Sequence, residues 1–514
     1  MLVSPEVVLL SRWQFGLTAM YHFIFVPLTL GLSALIAIME TVYLMTGNEI
    51  WKQMTKYWGL LFGINFAMGV ATGITMEFQF GTNWAYFSQY VGDVFGAPLA
   101  LEGLMAFFLE ATFIGLFFFG WERLPKLGHL IVTWLVAMGS SFSALWILVA
   151  NGWMSYPTGA YFNFHTLRME VINFKDVLFN PVAQAKFVHT ISAGYVTGAV
   201  FVLAVSAYFL LRNRNVPFAQ RSMTVAVSFG LASALSVVVL GDESGYLANS
   251  MQKMKIAAIE GMWKTEPAPA PLTLFGIPDP KEHVTRYKIE IPYLLGILAT
   301  RSFQEPLLGI NDLVAGNKER IWRGIKAYDA LSHLQQNPED QHAKILLEHY
   351  LSDLGYGLLL KRYISDPRVA TAEQVDKAAW STVPGNIPIL FWTFRIMVGC
   401  GFFFIFLFAI GFYLSTVRRL DRRWFLHIAL WSFPLPWLAV ESGWFMAEHG
   451  RQPWVVEGIL PTFLGTSSLS PTNLTISLAG FILFYTALAI VEIYLMIKYI
   501  RLGPDGLTKF GDTT

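Results

Sequence analysis

Apolar runs of membrane-spanning length alternate with short polar breaks along most of the chain. A hydrocarbon core about 30 Å thick needs about 20 mostly apolar residues per helix. Nine stretches of the 514 residues reach that length, at 15–45, 56–84, 95–121, 128–152, 185–211, 219–243, 388–414, 424–447 and 472–500. Six precede a long polar interval and three follow it. The interval, 244–387, holds 16 of the 36 Lys and Arg, the proline-rich run EPAPAP at 266–271, and amphipathic stretches such as KERIWRGIKAYDALSHL at 318–334. Charge mixed with periodic apolar residues predicts a water-exposed, partly helical domain there, not a linker. The pattern predicts an all-α polytopic membrane fold of nine transmembrane helices. A six-helix portion covers 1–243, a loop domain 244–387, and a three-helix portion with a tail 388–514.

Composition agrees: 54% of residues are hydrophobic and 14% charged, against roughly 25% charged in soluble chains. A net charge of +1 gives no global field to attract nucleic acid. One cysteine, Cys400, leaves no means for an intrachain disulfide, an iron–sulfur cluster or a CxxCH haem attachment. The opening MLVSPEVVLLSRWQF lacks the basic region and small-residue cleavage site of a signal peptide, so the first apolar segment reads as a retained span. Around the short loops, fourteen Lys and Arg gather on one side of the nine spans and five on the other. The positive-inside rule then puts the N-terminus and the long loop outside and the C-terminus inside.

An ionisable group at the bilayer centre costs about 2.5–3.5 kcal/mol on insertion scales, so the buried ones call for a reason. Span one carries His22, span two Glu77, span three Glu102 and Glu110, span five His189, span seven Arg395 and Met397, and span eight Glu441 and Glu448. On the charge-derived topology His22, Glu102, His189, Met397 and Glu448 share one depth just below the outer surface. Singly, each has an ordinary reading: histidine as an interhelical hydrogen-bonding group, methionine as a gap filler. Together they suit haem. A His–Met pair favours low-spin iron of raised potential, and a carboxylate suits a high-spin iron with an open position. At 100° per residue Glu441, Trp444 and Glu448 share one face of span eight. Arg451, in GRQPW at 450–454, could then pair with a haem propionate. Glu110 lies about 12 Å deeper than Glu102 by helix rise, placed to pass protons from the inner side. Only His22 and His189 are well placed within spans, which excludes a haem–copper core with its larger set of imidazoles.

Several segments resemble subunit I of cytochrome bd quinol oxidases: SRWQFGLTAMYHFIFVPLTLG at 11–31, FGINFAMGVATGITMEFQFGTNW at 62–84, GAPLALEGLMAFFLEATFIGLFFFGW at 96–121, GDESGY at 241–246, FRIMVGCG at 394–401 and ESGWFMAEHGRQPW at 441–454. The long interval, with LGYGLLLKRY at 354–363, is similar to the long quinol-loop class. The resemblance implies a low-spin haem b on His189 and Met397 with Arg395 beside it, a high-spin haem b on Glu448, and haem d on His22 with Glu102 on its other face. Which high-spin haem each ligand holds stays open. Lys255 and Glu260, in KMKIAAIEG at 253–261, match residues implicated in quinol oxidation; without the resemblance they would read as solvated surface. Ser141 and His449 stand where relatives often carry Asn and Tyr. The implied enzyme oxidises membrane quinol at the periplasmic side of the bacterial inner membrane. It reduces dioxygen to water and separates charge without pumping. The resemblance further implies two haem b and one haem d, no copper, a homologous subunit II and small single-span subunits. Two other classes compete: an electron-transfer cytochrome b, which has no use for His22 and Glu448 as ligands, and a transporter, which would carry no haem.

Overall fold

The computed structural model describes residues 4–506. Lys509, counted in the charge asymmetry, and the rest of the tail from 507 lie outside the described residues. In chain order the helices are α1 Pro5–Phe23, α2 Val26–Thr46, α3 Glu49–Thr82, α4 Ala85–Leu101, α5 Phe108–Phe119, α6 Lys126–Ser155, α7 Phe174–Leu178, α8 Pro181–Leu211, α9 Val216–Met251 and α10 Lys253–Ile259. There follow α11 Leu294–Thr300, α12 Ile310–Gln336, α13 Gln341–Tyr350, α14 Leu354–Leu358, α15 Ala372–Trp380, α16 Ile387–Thr416, α17 Arg423–Trp431, α18 Leu435–His449, α19 Thr462–Gly465 and α20 Pro471–Leu502. Among the described residues, eight helical stretches are long and apolar enough to cross a membrane.

The difference from nine lies in the eighth stretch, 424–447, which is broken into α17 and α18 around Pro434. Proline supplies no N–H and crowds the carbonyl four residues earlier, and Pro436 follows in the first turn of α18. Neither half has spanning length alone. Span one is also interrupted. α1 and α2 meet at Ile24 and Phe25, just before Pro27, and form a 42-residue stretch. The indole of Trp437 donates to the Ile24 carbonyl at 2.8 Å and Asn65 to that of Phe25 at 2.8 Å. Carbonyls at the break thus find partners instead of standing bare in apolar surroundings.

The chain is mostly helical, and beside the helices stand three two-stranded antiparallel ribbons that the all-α reading did not include: β1 Ala160–Asn163 with β2 Arg168–Val171, β3 Leu272–Asp279 with β4 Val284–Ile291, and β5 Trp454–Val456 with β6 Leu460–Pro461. Most of these strands are too short for period-two alternation to stand out in sequence, and the register of β3–β4 is interrupted by bulges. α9 runs past 243 to Met251, so the sixth span enters the loop domain without a break.

α8 is the axis of the bundle, the most buried of the spans, while α20 is among the least. It packs against α2 through small residues. A Cβ on Gly31 would lie 2.6 Å from the Cα of Gly198, so the backbones approach to a distance only glycine permits. Nearer the other end, buried Glu40 of α2 accepts from the Thr133 hydroxyl and lies 2.6 Å from His129 Nδ1, tying α2 to α6. The loop domain has its own core, including Met262, Trp263, Ile310, Val314 and Leu360. That core extends to Ile387 and Leu390 at the start of α16 and to Trp454. The domain is thereby seated on the membrane helices.

Candidate active site

Three of the four expected haem ligands stand against a glycine of a neighbouring helix. A Cβ on Gly73 would meet the His22 ring at 3.1 Å, one on Gly241 the His189 ring at 3.4 Å, and one on Gly443 the Met397 sulfur at 2.7 Å. Glycine at each place leaves room for a donor side chain to lie across the helix. His22 ends α1 just before the break, and its Nδ1 is 2.9 Å from Thr72 Oγ1. The Thr72 hydroxyl proton is directed to the Met68 and Gly69 carbonyls at 3.0 Å. Oγ1 therefore accepts from Nδ1–H, which fixes the tautomer and leaves Nε2 with a free lone pair. His189 Nδ1 is buried and has no hydrogen-bond partner.

The acids of span three are arranged along α6. A π-helical turn, Glu102–Phe107, interrupts the span at Glu102 itself, an irregularity common at functional sites. Glu102 accepts from Ser143 at 2.7 Å. Buried Glu110 lies over Gly139, where a Cβ would be 2.8 Å from its Cγ. Gly139 and Ser143 are one turn apart, about 6 Å of helix rise. Both acids thus meet α6, at positions one turn apart. Glu77 is exposed and close enough to Glu102 for the two charges to interact.

Further along α6, Asn151 donates to Glu448 Oε1 at 2.9 Å, and Lys186 donates to Asn151 Oδ1 at 2.6 Å and to Ser155 at 3.1 Å. The other Glu448 oxygen pairs with Arg451, which also donates to the Val455 carbonyl. Arg451 is therefore largely committed to Glu448, leaving its buried Nε without a partner. On the same face of α18 both oxygens of Glu441 are buried and unpartnered. Trp444 stacks on Phe23, next to His22, with centroids 5.2 Å apart. The shared face read from sequence brings α18 against the end of α1.

Lys255 and Glu260 are both buried, not solvated surface. Lys255 donates to Gln252 at 2.7 Å, Gln252 donates to Glu457 at 2.9 Å, and the Lys255 stem lies where a Cβ on Gly450 would be 3.1 Å away. Burial, with the nearby Lys186 charge, brings the Lys255 ammonium down to about 7. Glu260 turns the other way and pairs with Arg395 at 2.8 Å. Burial raises its carboxyl, opposed by the Arg395 charge. Arg395 also donates to the carbonyls of Thr273, Ile259 and Phe391 at 2.9 Å, joining α16 to the loop domain. Sequence reading missed Lys186, Asn151, Gln252 and Glu457. The spacing Lys186 to His189, three residues on one helix, was the available signal for the first. At the two departures, Ser141 donates to its own helix at Ala137, and His449 Nε2 is 2.7 Å from the Gly385 carbonyl.

The donor set fits haem. The imidazoles of His22 and His189 and the Met397 thioether are side chains that can ligate haem iron, and the Glu448 carboxylate is a further oxygen donor. No three His, Cys, Asp or Glu side chains cluster as a bare-ion site among the described residues. Donors arriving singly, one with an orphaned buried nitrogen, match ligation of a preformed macrocycle.

A family model for cytochrome bd terminal oxidase subunit I matches residues 10–504. The chain is 52% identical to the Escherichia coli K12 cytochrome bd-II ubiquinol oxidase subunit 1, over 98% of each chain. It is 37% identical to the Bacillus subtilis cytochrome bd ubiquinol oxidase subunit 1, over 96% of this chain and 94% of that one. The fold is similar to that of the bd oxidase from Geobacillus thermodenitrificans, with a TM-score of 0.78, 26% identity, and 97% of this chain and 99% of that one covered. Sequence, donor set and fold agree, and the chain belongs to the cytochrome bd terminal oxidase subunit I family.

Proposed function

We propose that this subunit oxidises membrane quinol on the side of the loop domain and reduces dioxygen to water, drawing the protons for that reduction from the opposite side. Quinol:oxygen oxidoreductase activity accords with the family and its relatives. In this reading His189 and Met397 hold a low-spin haem b, Glu448 a high-spin haem b and His22 haem d, with Glu102 facing the last. Bound haem supplies one-electron carriage and the reduction of dioxygen. Lys255 and Glu260 bind the quinol head group and take up its protons. Arg395 orients Glu260, Arg451 and Trp444 shape the space beside Glu448, and Glu110 passes protons to Glu102. Opposite placement of proton release and uptake separates charge without a pump. The partners are a homologous subunit II and small single-span subunits. With nine crossings, counting α17 and α18 as one, the fourteen-to-five charge bias supports an N-terminus and loop domain outside the inner membrane.

The observation that carries this reading is the burial of Lys255 against Gly450, two residues beyond Glu448. A group expected to meet quinol thereby adjoins one expected to hold iron. Lys255→Gln and Glu260→Gln should each slow quinol-driven oxygen uptake at least tenfold while leaving the reduced-minus-oxidised haem spectrum intact. Wild-type quinol kinetics in both variants would remove these residues from the reaction.

A further inference from the structure

The β3–β4 ribbon is part of the loop domain, yet it exposes a series of large apolar side chains. Leu274 is 48% exposed, Phe275 41%, Ile277 50%, Tyr287 76% and Ile289 61%. In β4 the polar partners alternate with these: Lys288 and Glu290 pair at 3.2 Å, and Glu290 accepts from Thr273 on the opposite strand at 3.3 Å. One ribbon therefore carries both a paired polar set and an unpaired apolar one. A water-facing ribbon rarely exposes such a group, since contiguous apolar patches mark interaction surfaces.

Where the ribbon sits indicates what covers it. It packs along the first turns of α16: Phe275 meets Trp392 edge-on at 5.2 Å, a Cβ on Gly276 would touch Phe391 at 3.4 Å, and Arg395 holds the Thr273 carbonyl at 2.9 Å. Counting about 20 residues back from Thr416 for the hydrocarbon core ends beside Met397. Phe391, Trp392 and Arg395 therefore occupy the interfacial layer, where aromatic and arginine side chains anchor. Further down α16 the apolar side chains of Ile396 and Phe402 are exposed as well. We infer that the β3–β4 ribbon is a monotopic anchor whose apolar side chains insert into the headgroup–acyl boundary of the lipid bilayer. This fixes the height of the loop domain above the membrane. The inference is independent of the redox reading.

The test uses the assembled oxidase in phosphatidylcholine vesicles, with its other cysteines, Cys400 included, replaced by serine. Nitroxide labels are placed singly by Ile289→Cys, by Phe406→Cys in the lipid-facing middle of α16, and by Glu339→Cys, whose side chain is 86% exposed on the loop domain. Relaxation by dissolved oxygen and by a water-soluble nickel chelate is compared. The label at 289 should relax with oxygen as the one at 406 does, and should be at least fivefold less accessible to nickel than the one at 339. Nickel accessibility equal to that at 339 would place the ribbon in water. Shielding from both probes would mean that protein covers it. Either result overturns the anchor.

Discussion

At the scale of single residues, the site is governed by partners that orient the donors. Thr72 fixes the His22 tautomer because its only proton is directed to backbone carbonyls. Thr72→Val keeps the shape and removes the acceptor for Nδ1–H. Loss of such an orienting partner typically weakens metal binding about 10–100-fold, so the purified variant should lose the haem assigned to His22 and keep the His189 haem. Equal retention of both would show that Thr72 does not orient the ligand. Lys255 gives a pH dependence. Its proton affinity is lowered to about 7 by burial, and only the neutral amine can accept a quinol proton. Quinol oxidation should therefore rise with pH through about 7, and Lys255→Gln should flatten that limb. A profile unchanged in shape would assign the limb to another group.

At the scale of elements, helix irregularities and glycine contacts set the spacing. The π turn at Glu102 and the face of α6 together put Glu102 and Glu110 against positions one turn apart. Glu110→Gln keeps bulk and hydrogen bonding while removing the titratable proton. Oxygen reduction should slow markedly with the haem spectrum and electron entry unchanged, and full turnover would eliminate Glu110 from an obligatory path. The α2–α8 contact makes a stability prediction. Gly198→Leu has no room beside Gly31, and overpacking costs about 1–3 kcal/mol or more. The variant should inactivate faster in detergent on heating than Ala234→Leu, a buried change on α9 outside that contact. Equal half-lives would contradict a packing role for these glycines.

At the scale of the whole molecule, the loop domain and the C-terminal tail are expected on opposite sides. Protease added to the outside of sealed, right-side-out vesicles should cut at exposed loop sites near Glu339 and leave a C-terminal tag intact. Cleavage of the loop only after the vesicles are opened would invert the topology. The seating of the loop core on Ile387, Leu390 and Trp454 predicts that the cut domain stays attached and its fragments co-purify.

Hydropathy is a property of about 20 neighbouring residues, so the sequence by itself determined the membrane class, the long spans and the polar interval. Motif content likewise singled out His22, His189, Met397 and Glu448 as candidates. Only the tertiary structure decided what surrounds those residues. Without the resemblance Lys255 and Glu260 read as surface charges, because whether a lysine is solvated depends on segments far away in the chain. Gln252 meets Lys255 locally at the start of α10, but Glu457 joins Gln252 only when α10 folds onto the segment after α18. Lys186, missed by sequence reading, is part of the Glu448 cluster through Asn151, 35 residues away. The break between α17 and α18 was marked by Pro434 but hidden by the apolar run around it. The bulged β3–β4 ribbon was masked by its mixed pattern, since register shifts break the simple alternation of polar and apolar positions.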